Sequence, residues 1–443
     1  MTDFFAGDEI EKLARETGFV KRSSEIITAE SFLNSLLFTS SDQKELSLND
    51  LSGQLKGKYK IDVSKQGVDQ RFSENSVKFM KAIMEKLIKK IISQEPVIDY
   101  LGSFNNVLIK DSTSFQLPES MADKYQGSGG SGSEASVRIQ FEFDIKTGRI
   151  FDLSLHAYNN SDQTNASETK ENISKGDLLI RDLGYISIKV LTYILLKGAF
   201  FLNRINSALA YEEKNDGFEK IDFVKIKAYL EKKHLVSLEK EVYLGEKKEL
   251  KVRMVVELLP EAIVKDRLTK ANKIAKKKGY QLTEEHKARL ALNIYITNIG
   301  SKQLPIAQVR SLYRLRWQIE LVFKVWKSVV NIEKVKKMKV ARFETVLYAK
   351  LIRIVMNWSI MWEISKIFWA TKALFISPIK FFKTLQDRIY SNWVAFKQGK
   401  KAVCAFITDL YEMSEQNHVL EQRNEHLSSL EIQLSLCASY QKE

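Results

Sequence analysis

At 443 residues the chain exceeds what one ordinary hydrophobic core holds, so two to four domains are expected. A hydrophobic fraction of 44% with 10% aromatics excludes a disordered or fibrous protein, and 69 Lys and Arg against 55 Asp and Glu, a net charge of +14, call for an anionic partner: nucleic acid or a membrane surface. Two cysteines, Cys404 and Cys437, are too few for a disulfide framework or a zinc site, and the N-terminal MTDFFAGDEI lacks the apolar run of a signal peptide, so the cytoplasm is the expected compartment.

Residues 1–95 carry apolar positions such as Phe32, Leu33, Leu36 and Leu37 at helical spacing, which predicts a small helical domain. Within it Ser47 is placed to cap a helix over LNDLSGQLKG and Ser64 a second over KQGVDQRF, the outline of a helix-turn-helix. The second helix would present Lys65, Gln66, Gln70 and Arg71, side chains that reach phosphates and base edges. Any two short capped helices in a basic domain share this outline.

From about residue 100 the period becomes strand-like. Val107, Ile109 and Asp111 share one face of a short apolar run. After the glycine- and serine-rich GSGGSGS loop, Val137, Ile139, Phe141, Phe143 and Ile145 alternate with Arg138, Gln140, Glu142 and Asp144, and a turn at Lys146–Gly148 leads into a second alternating run, Phe151 to Ala157. Leu178, Leu179 and Ile180 then form a buried-strand pattern that ends on Arg181 and Asp182. A helix over Ile186–Gly198 and a strand over Phe200–Ile205 complete the strand order of a ribonuclease H-like core, a mixed α/β sheet whose first and fourth strands are adjacent. That adjacency would bring Asp111 to Asp182. Residues 213–300 interrupt the pattern with a Lys- and Glu-rich, largely β segment, and from about Phe343 amphipathic helices run to the end. Within them, the most apolar stretch, Val346–Ala370, is interrupted by Lys350, Arg353, Glu363 and Lys366 and is too charged to cross a bilayer unaided.

The sharpest feature is YRLRWQIELVFKVWK, in which Tyr313, Arg316, Glu320 and Lys327 stand three, four and seven residues apart. On one uninterrupted helix they would lie within an arc of roughly 60°, while Leu315, Ile319, Val322, Trp326 and Val329 anchor the opposite side. An amphipathic helix always has a polar face, and this stripe gains meaning only beside two strand-end carboxylates. Three acids at one point repel unless divalent cations neutralise them, and a pair of Mg²⁺ ions would also activate a water or 3′-hydroxyl and stabilise the leaving oxygen of a phosphodiester. Arg316, Lys327 and Tyr313 could then hold flanking phosphates, and Trp317 could stack on a displaced base.

These residues resemble the YREK signature of bacterial insertion-sequence transposases of the DDE class, the cut-and-paste type. Asp111 in KDSTSF, Asp182 in RDLGY and Glu320 look like that family's three acids. The resemblance implies a Mg²⁺-dependent enzyme, with Mn²⁺ able to substitute, that binds terminal inverted repeats of double-stranded DNA, cleaves the element ends and joins them to target DNA, in several members through a hairpin. It also implies a layout: a helical end-binding domain at 1–95, a catalytic core at 96–212 that resumes with the Glu320 helix at 301–340, a β-rich insertion at 213–300, and a helical C-terminal region at 341–443 that pairs two protomers in a homodimeric end complex. Such an enzyme would work in the bacterial cytoplasm on the nucleoid, with no membrane partner.

Two other readings keep the same basic surface: a nuclease of this fold that cuts without joining, and a silent transposase-derived DNA-binding protein, which the presence of all three acids disfavours. Among competing acids, Asp177 precedes its strand and Asp144 reads as a solvated strand residue. Tyr295 is a weak candidate for a second stacking aromatic, His156 reads as an ordinary strand histidine, and no Walker pattern calls for ATP.

Overall fold

A computed structural model describes residues 8–21, 26–38, 47–90, 101–129, 133–205, 210–215, 217–372 and 374–420. Cys437 and the end of the expected pairing region lie outside the described residues.

The helical period of the first ninety residues becomes α1 (Asp8–Glu16), α2 (Ala29–Leu37), α3 (Leu48–Tyr59), α4 (Lys65–Gln70) and α5 (Glu74–Lys90). Both expected caps are made. Ser47 and Asp50 form a reciprocal capping box that satisfies two otherwise orphaned N–H groups, and the Ser64 hydroxyl accepts from the Gly67 N–H at 3.2 Å. Phe19 stacks on Phe79 at 4.9 Å and meets Phe32 at 5.0 Å, which closes the small core of these helices.

The chain continues through β1 (Val107–Gln116), β2 (Ser136–Asp144), β3 (Ile150–Ala157), α6 (Asp162–Glu168), β4 (Leu178–Arg181), α7 (Ile188–Leu196) and β5 (Phe200–Arg204). Next come β6 (Ala210–Lys214), β7 (Gly217–Lys220), α8 (Phe223–Lys233), β8 (Ser237–Leu244), β9 (Leu250–Leu258), α9 (Glu261–Lys278), α10 (Glu284–Leu290) and β10 (Leu292–Thr297). Six helices follow: α11 (Ile306–Arg314), α12 (Trp317–Ser328), α13 (Val340–Lys372), α14 (Pro378–Asp387), α15 (Ile389–Gln398) and α16 (Lys400–Asn417). The fold is mixed α/β, and among the described residues the strands follow the order β3-β2-β1-β4-β5-β10-β9-β8-β6-β7.

The chain divides into two compact units. One comprises Met1–Asp99, Ser112–Asn159 and Gln318–Ser428, the other Tyr100–Asp111, Asn160–Trp317 and Ser429–Glu443. In the first, α12 is anchored by Trp326, fully buried, whose ring meets Phe141 of β2 at 5.0 Å and Phe323 at 5.3 Å. α13 joins the helical domain through a buried hydroxyl pair, Ser76 and Thr345 at 2.8 Å, and the β2–β3 turn through Trp358, whose indole donates to the Gly148 carbonyl at 2.8 Å. Gly148 has φ +73°, and a Cβ there would lie 2.4 Å from the Trp362 ring, so the turn demands glycine on both counts. α13 is long, yet no helix among the described residues is both long and apolar enough to cross a membrane.

One expectation fails in this unit. Asp144 is completely buried rather than solvated: its carboxylate accepts from the Lys146 and Thr147 N–H groups, each at 3.1 Å, and from the Thr147 hydroxyl at 2.6 Å. Alternation in β2 marks two chemically different faces, and both are covered, since Gln140 and Glu142 are buried as well.

In the second unit β1 pairs parallel to β4 and β4 parallel to β5, while β10 runs antiparallel between β5 and β9. β8 pairs antiparallel with β9 and with β6, which forms a hairpin with β7.

Candidate active site

The apolar strands β1 and β4 lie side by side with Lys110 opposite Arg181. Neighbouring strands are about 4.8 Å apart, so the next residues, Asp111 inside β1 and Asp182 just past the end of β4, stand side by side. Each is held locally. Asp182 caps the short 3₁₀ turn Leu183–Tyr185, accepting from the Leu183 N–H at 2.8 Å, and the Tyr313 hydroxyl lies 3.4 Å from the same oxygen. Asp111 accepts from Arg316 Nη1 at 2.8 Å in a half-buried ion pair.

Burial, reinforced by the Asp182 charge, pushes the Tyr313 phenol well above the ordinary tyrosine range, while the nearby Arg316 and Arg204 guanidiniums pull it the other way. Tyr313 therefore stands as a hydroxyl donor at neutral pH. Its ring packs 5.3 Å from Tyr295, whose phenol is likewise pushed up, to about 12, chiefly by burial. Tyr295 is enclosed in β10, which does not suit it to stack on an extruded base. Trp317, 57% exposed, has the accessible face such a role requires.

The YREK run is not one helix. Leu315 N–H bonds to the Leu312 carbonyl and Arg316 N–H to that of Tyr313, both i→i−3, so a tight turn separates α11 from α12. The single 60° stripe expected from the sequence does not form. Tyr313 lies in the last turn of α11 and Arg316 occupies the turn that follows, both within the second unit, whereas Glu320 and Lys327 ride on α12 within the first. The apolar half of the expectation holds, since Leu315, Ile319, Val322, Trp326 and Val329 are all buried. Lys327 Nζ reaches the Ser114 carbonyl at 3.4 Å, on the stretch of β1 that follows Asp111.

In the helical domain Lys65, Gln66 and Gln70 are exposed on α4. Arg71 is turned inward: it donates to the Ile27 carbonyl at 3.0 Å and its guanidinium stacks 4.8 Å from the Phe19 ring.

Two carboxylates at neighbouring positions of β1 and β4 offer the hard oxygen donors that a divalent cation takes. Among the described residues, however, no group of three or more acidic, histidine or cysteine side chains is arranged to hold a metal ion. Arg316 supplies positive charge to Asp111 instead.

The Transposase DDE domain family matches residues 102–356, a stretch containing Asp111, Asp182, Tyr313, Arg316, Glu320 and Lys327. The chain is 30% identical over 439 residues to the transposase for insertion sequence element IS231F of Bacillus thuringiensis subsp. israelensis, covering 96% of this chain and 91% of that one. It belongs to the DDE transposases of bacterial insertion sequences. The transposase for IS1151 of Clostridium perfringens is 32% identical to this transposase over 397 residues, covering 85% and 83% of the two chains. A piggyBac transposase from a synaptic complex with hairpin DNA shares 11% identity at a TM-score of 0.45 over 96% of this chain and 86% of that one, too remote a likeness to argue from.

Sequence reasoning missed the arginines around this transposase's tyrosine pair. Arg204 ends β5 and stands opposite Tyr295 across the β5–β10 pairing. Arg310 pairs with Glu257 at 2.8 Å, and Arg267 donates to Asn293 at 3.0 Å while burial lowers its pKa. Arg204 was legible in principle: it closes an apolar strand with a charge, as Arg181 and Asp182 do at the end of β4.

Proposed function

We propose that the transposase carries out cut-and-paste transposition, with Asp111, Asp182 and Glu320 as its DDE acids on a ribonuclease H-like core. The observation that supports this reading is the parallel pairing of β1 with β4, whose register sets Asp111, inside β1, beside Asp182, just past β4, one touched by Arg316 and the other by Tyr313. Two carboxylates so close repel, and the arrangement suits a site built to receive positive charge. Mg²⁺, when held by these acids, would activate the attacking water or 3′-hydroxyl and stabilise the leaving oxygen.

The remaining roles belong to the chain's own groups. Arg316, already a donor to Asp111, is placed to exchange that carboxylate for a DNA phosphate, and Tyr313 donates from a phenol that stays protonated. Trp317 offers a stacking surface for a base turned out of the duplex, as a hairpin step would require. Lys327 meets phosphate as a point charge, and Lys65, Gln66 and Gln70 read the element's terminal repeats. A homodimer pairs the two ends.

The test is to incubate the purified chain with Mg²⁺, a duplex carrying the inverted repeats that flank its reading frame, and a supercoiled target. Joined products are expected. Cut ends that never join would indicate the nuclease, and binding without cutting would indicate the silent DNA-binding protein.

A further inference from the structure

The segment that leads from α12 into the first turn of α13, IEKVKKMKVAR, holds five cations from Lys334 to Arg342 and one acid, Glu333. It does not trail in solvent as an ordinary charged linker would. Lys339 pairs with Asp69 of α4 at 2.8 Å, and the Arg342 guanidinium lies 5.6 Å from the ring of Phe72, just past α4. These two interactions fasten the linker to the helical domain within one unit.

Fastened there, it closes a cleft of about 240 Å³ lined by Leu48 and Asn49 at the start of α3, Lys65 at the start of α4, and Lys336, Lys337 and Arg342. Lys65, Lys336 and Lys337 are exposed, so their charges face solvent. Lys65 and the Lys336–Arg342 stretch, far apart in sequence, together make the lining of this cleft strongly basic, which favours an anionic ligand. The cleft is smaller than the roughly 300–1,000 Å³ of pockets that enclose a small molecule. It suits single phosphates along a chain that continues beyond it on both sides.

We infer that this cleft is a phosphate clamp that holds the backbone of duplex DNA across the joint between the helical domain and the linker. Its ligand is the DNA backbone, independent of sequence, as expected of lysines that meet phosphate as point charges. The inference rests on the reading of the chain as a DNA transposase and adds to it a specific place. The clamp would secure DNA read by α4 against the same unit that carries Glu320 and Lys327, so that end recognition and the catalytic helix share one rigid grip.

The experiment measures the affinity of the full chain for a 20-base-pair duplex of unrelated sequence, and for one bearing the flanking repeat, across a range of salt. Removing one lysine–phosphate interaction should reduce the slope of log affinity against log salt by about 0.9. Lys336→Ala/Lys337→Ala is expected to lower that slope by about 1.8 on both duplexes, with unchanged thermal melting. Arg342→Ala would also strip the guanidinium from the Phe72 ring, so Arg342→Lys is the variant to pair with it. A control, Lys12→Ala/Lys81→Ala, removes the same charge from α1 and α5 outside the cleft. An unchanged slope in the cleft double variant, or an equal drop in the control, overturns the clamp. Failure of the wild type to cut or join the flanking repeats, with the cleft variants still showing the reduced slope, would sink the transposition reading while leaving the clamp standing.

Discussion

Arg316 donates to Asp111 across 205 positions of sequence, at 2.8 Å, and so ties the turn between α11 and α12 to the middle of β1. An ion pair of this kind holds a carboxylate in one orientation until another cation takes over. Asp111→Asn, Asp182→Asn and Glu320→Gln should therefore each reduce Mg²⁺-dependent end cleavage by on the order of 10³-fold or more while leaving end binding nearly intact. Cleavage on labelled ends and binding by gel shift measure the two separately. Full cleavage in any one variant would remove that residue from the site.

Lys327 has its ammonium 3.4 Å from a β1 carbonyl, a weak interaction that a phosphate would readily replace. Lys327→Ala should lower affinity for cleaved ends and reduce the salt slope by about 0.9. If the slope does not move, Lys327 serves α12 and β1 alone.

Trp326 is the most consequential apolar side chain on α12. Its complete burial against Phe141 and Phe323 predicts a loss of about 3–5 kcal/mol in Trp326→Ala, measured by urea unfolding. Trp326→Phe should cost clearly less, because the indole N–H has no hydrogen-bond partner among the described residues and its removal leaves no group stranded. Equal losses in the two variants would contradict this account.

His418 sits at the end of α16, buried, with its ring nitrogens 2.8 Å from the Ser414 and Thr384 hydroxyls. Burial, helped by Lys380, lowers its pKa below the ordinary 6.5. The folded chain thus takes up its proton later than the unfolded chain does, and stability contributed by the neutral ring is complete above pH 6.5 and lost as pH falls toward the lowered value. Thermal melting should decline between about pH 7.5 and 5, and His418→Gln should flatten that part of the decline.

Much of the core was legible because its strands are apolar and bounded. β2, β3, β4 and β5 fall within a residue or two of their sequence expectations, as do the caps Ser47 and Ser64. The hairpin β6–β7 and the helices α6, α8 and α10 escaped notice, since AYEEK and GFEK carry almost no apolar period and their outer residues are exposed. The acids of the candidate site could be named from strand ends and the YREK spacing, but the geometry between them could not. No Gly or Pro interrupts Tyr313–Lys327, and the tight turn at Leu315–Arg316 is set by what each half packs against. Asp144 shows the same limit from the other side, because a polar face in sequence says nothing about whether a second layer covers it.

The pairing of Lys110 with Arg181 makes parity, rather than distance, the quantity this site must conserve. The seventy positions between Asp111 and Asp182 can gain or lose a loop residue at little cost, since only the register of the two paired strands is compared. One residue added or removed inside Leu178–Arg181 is a different event: side chains in a strand alternate, and the second acid would exit on the far side of the sheet with its partner unmoved.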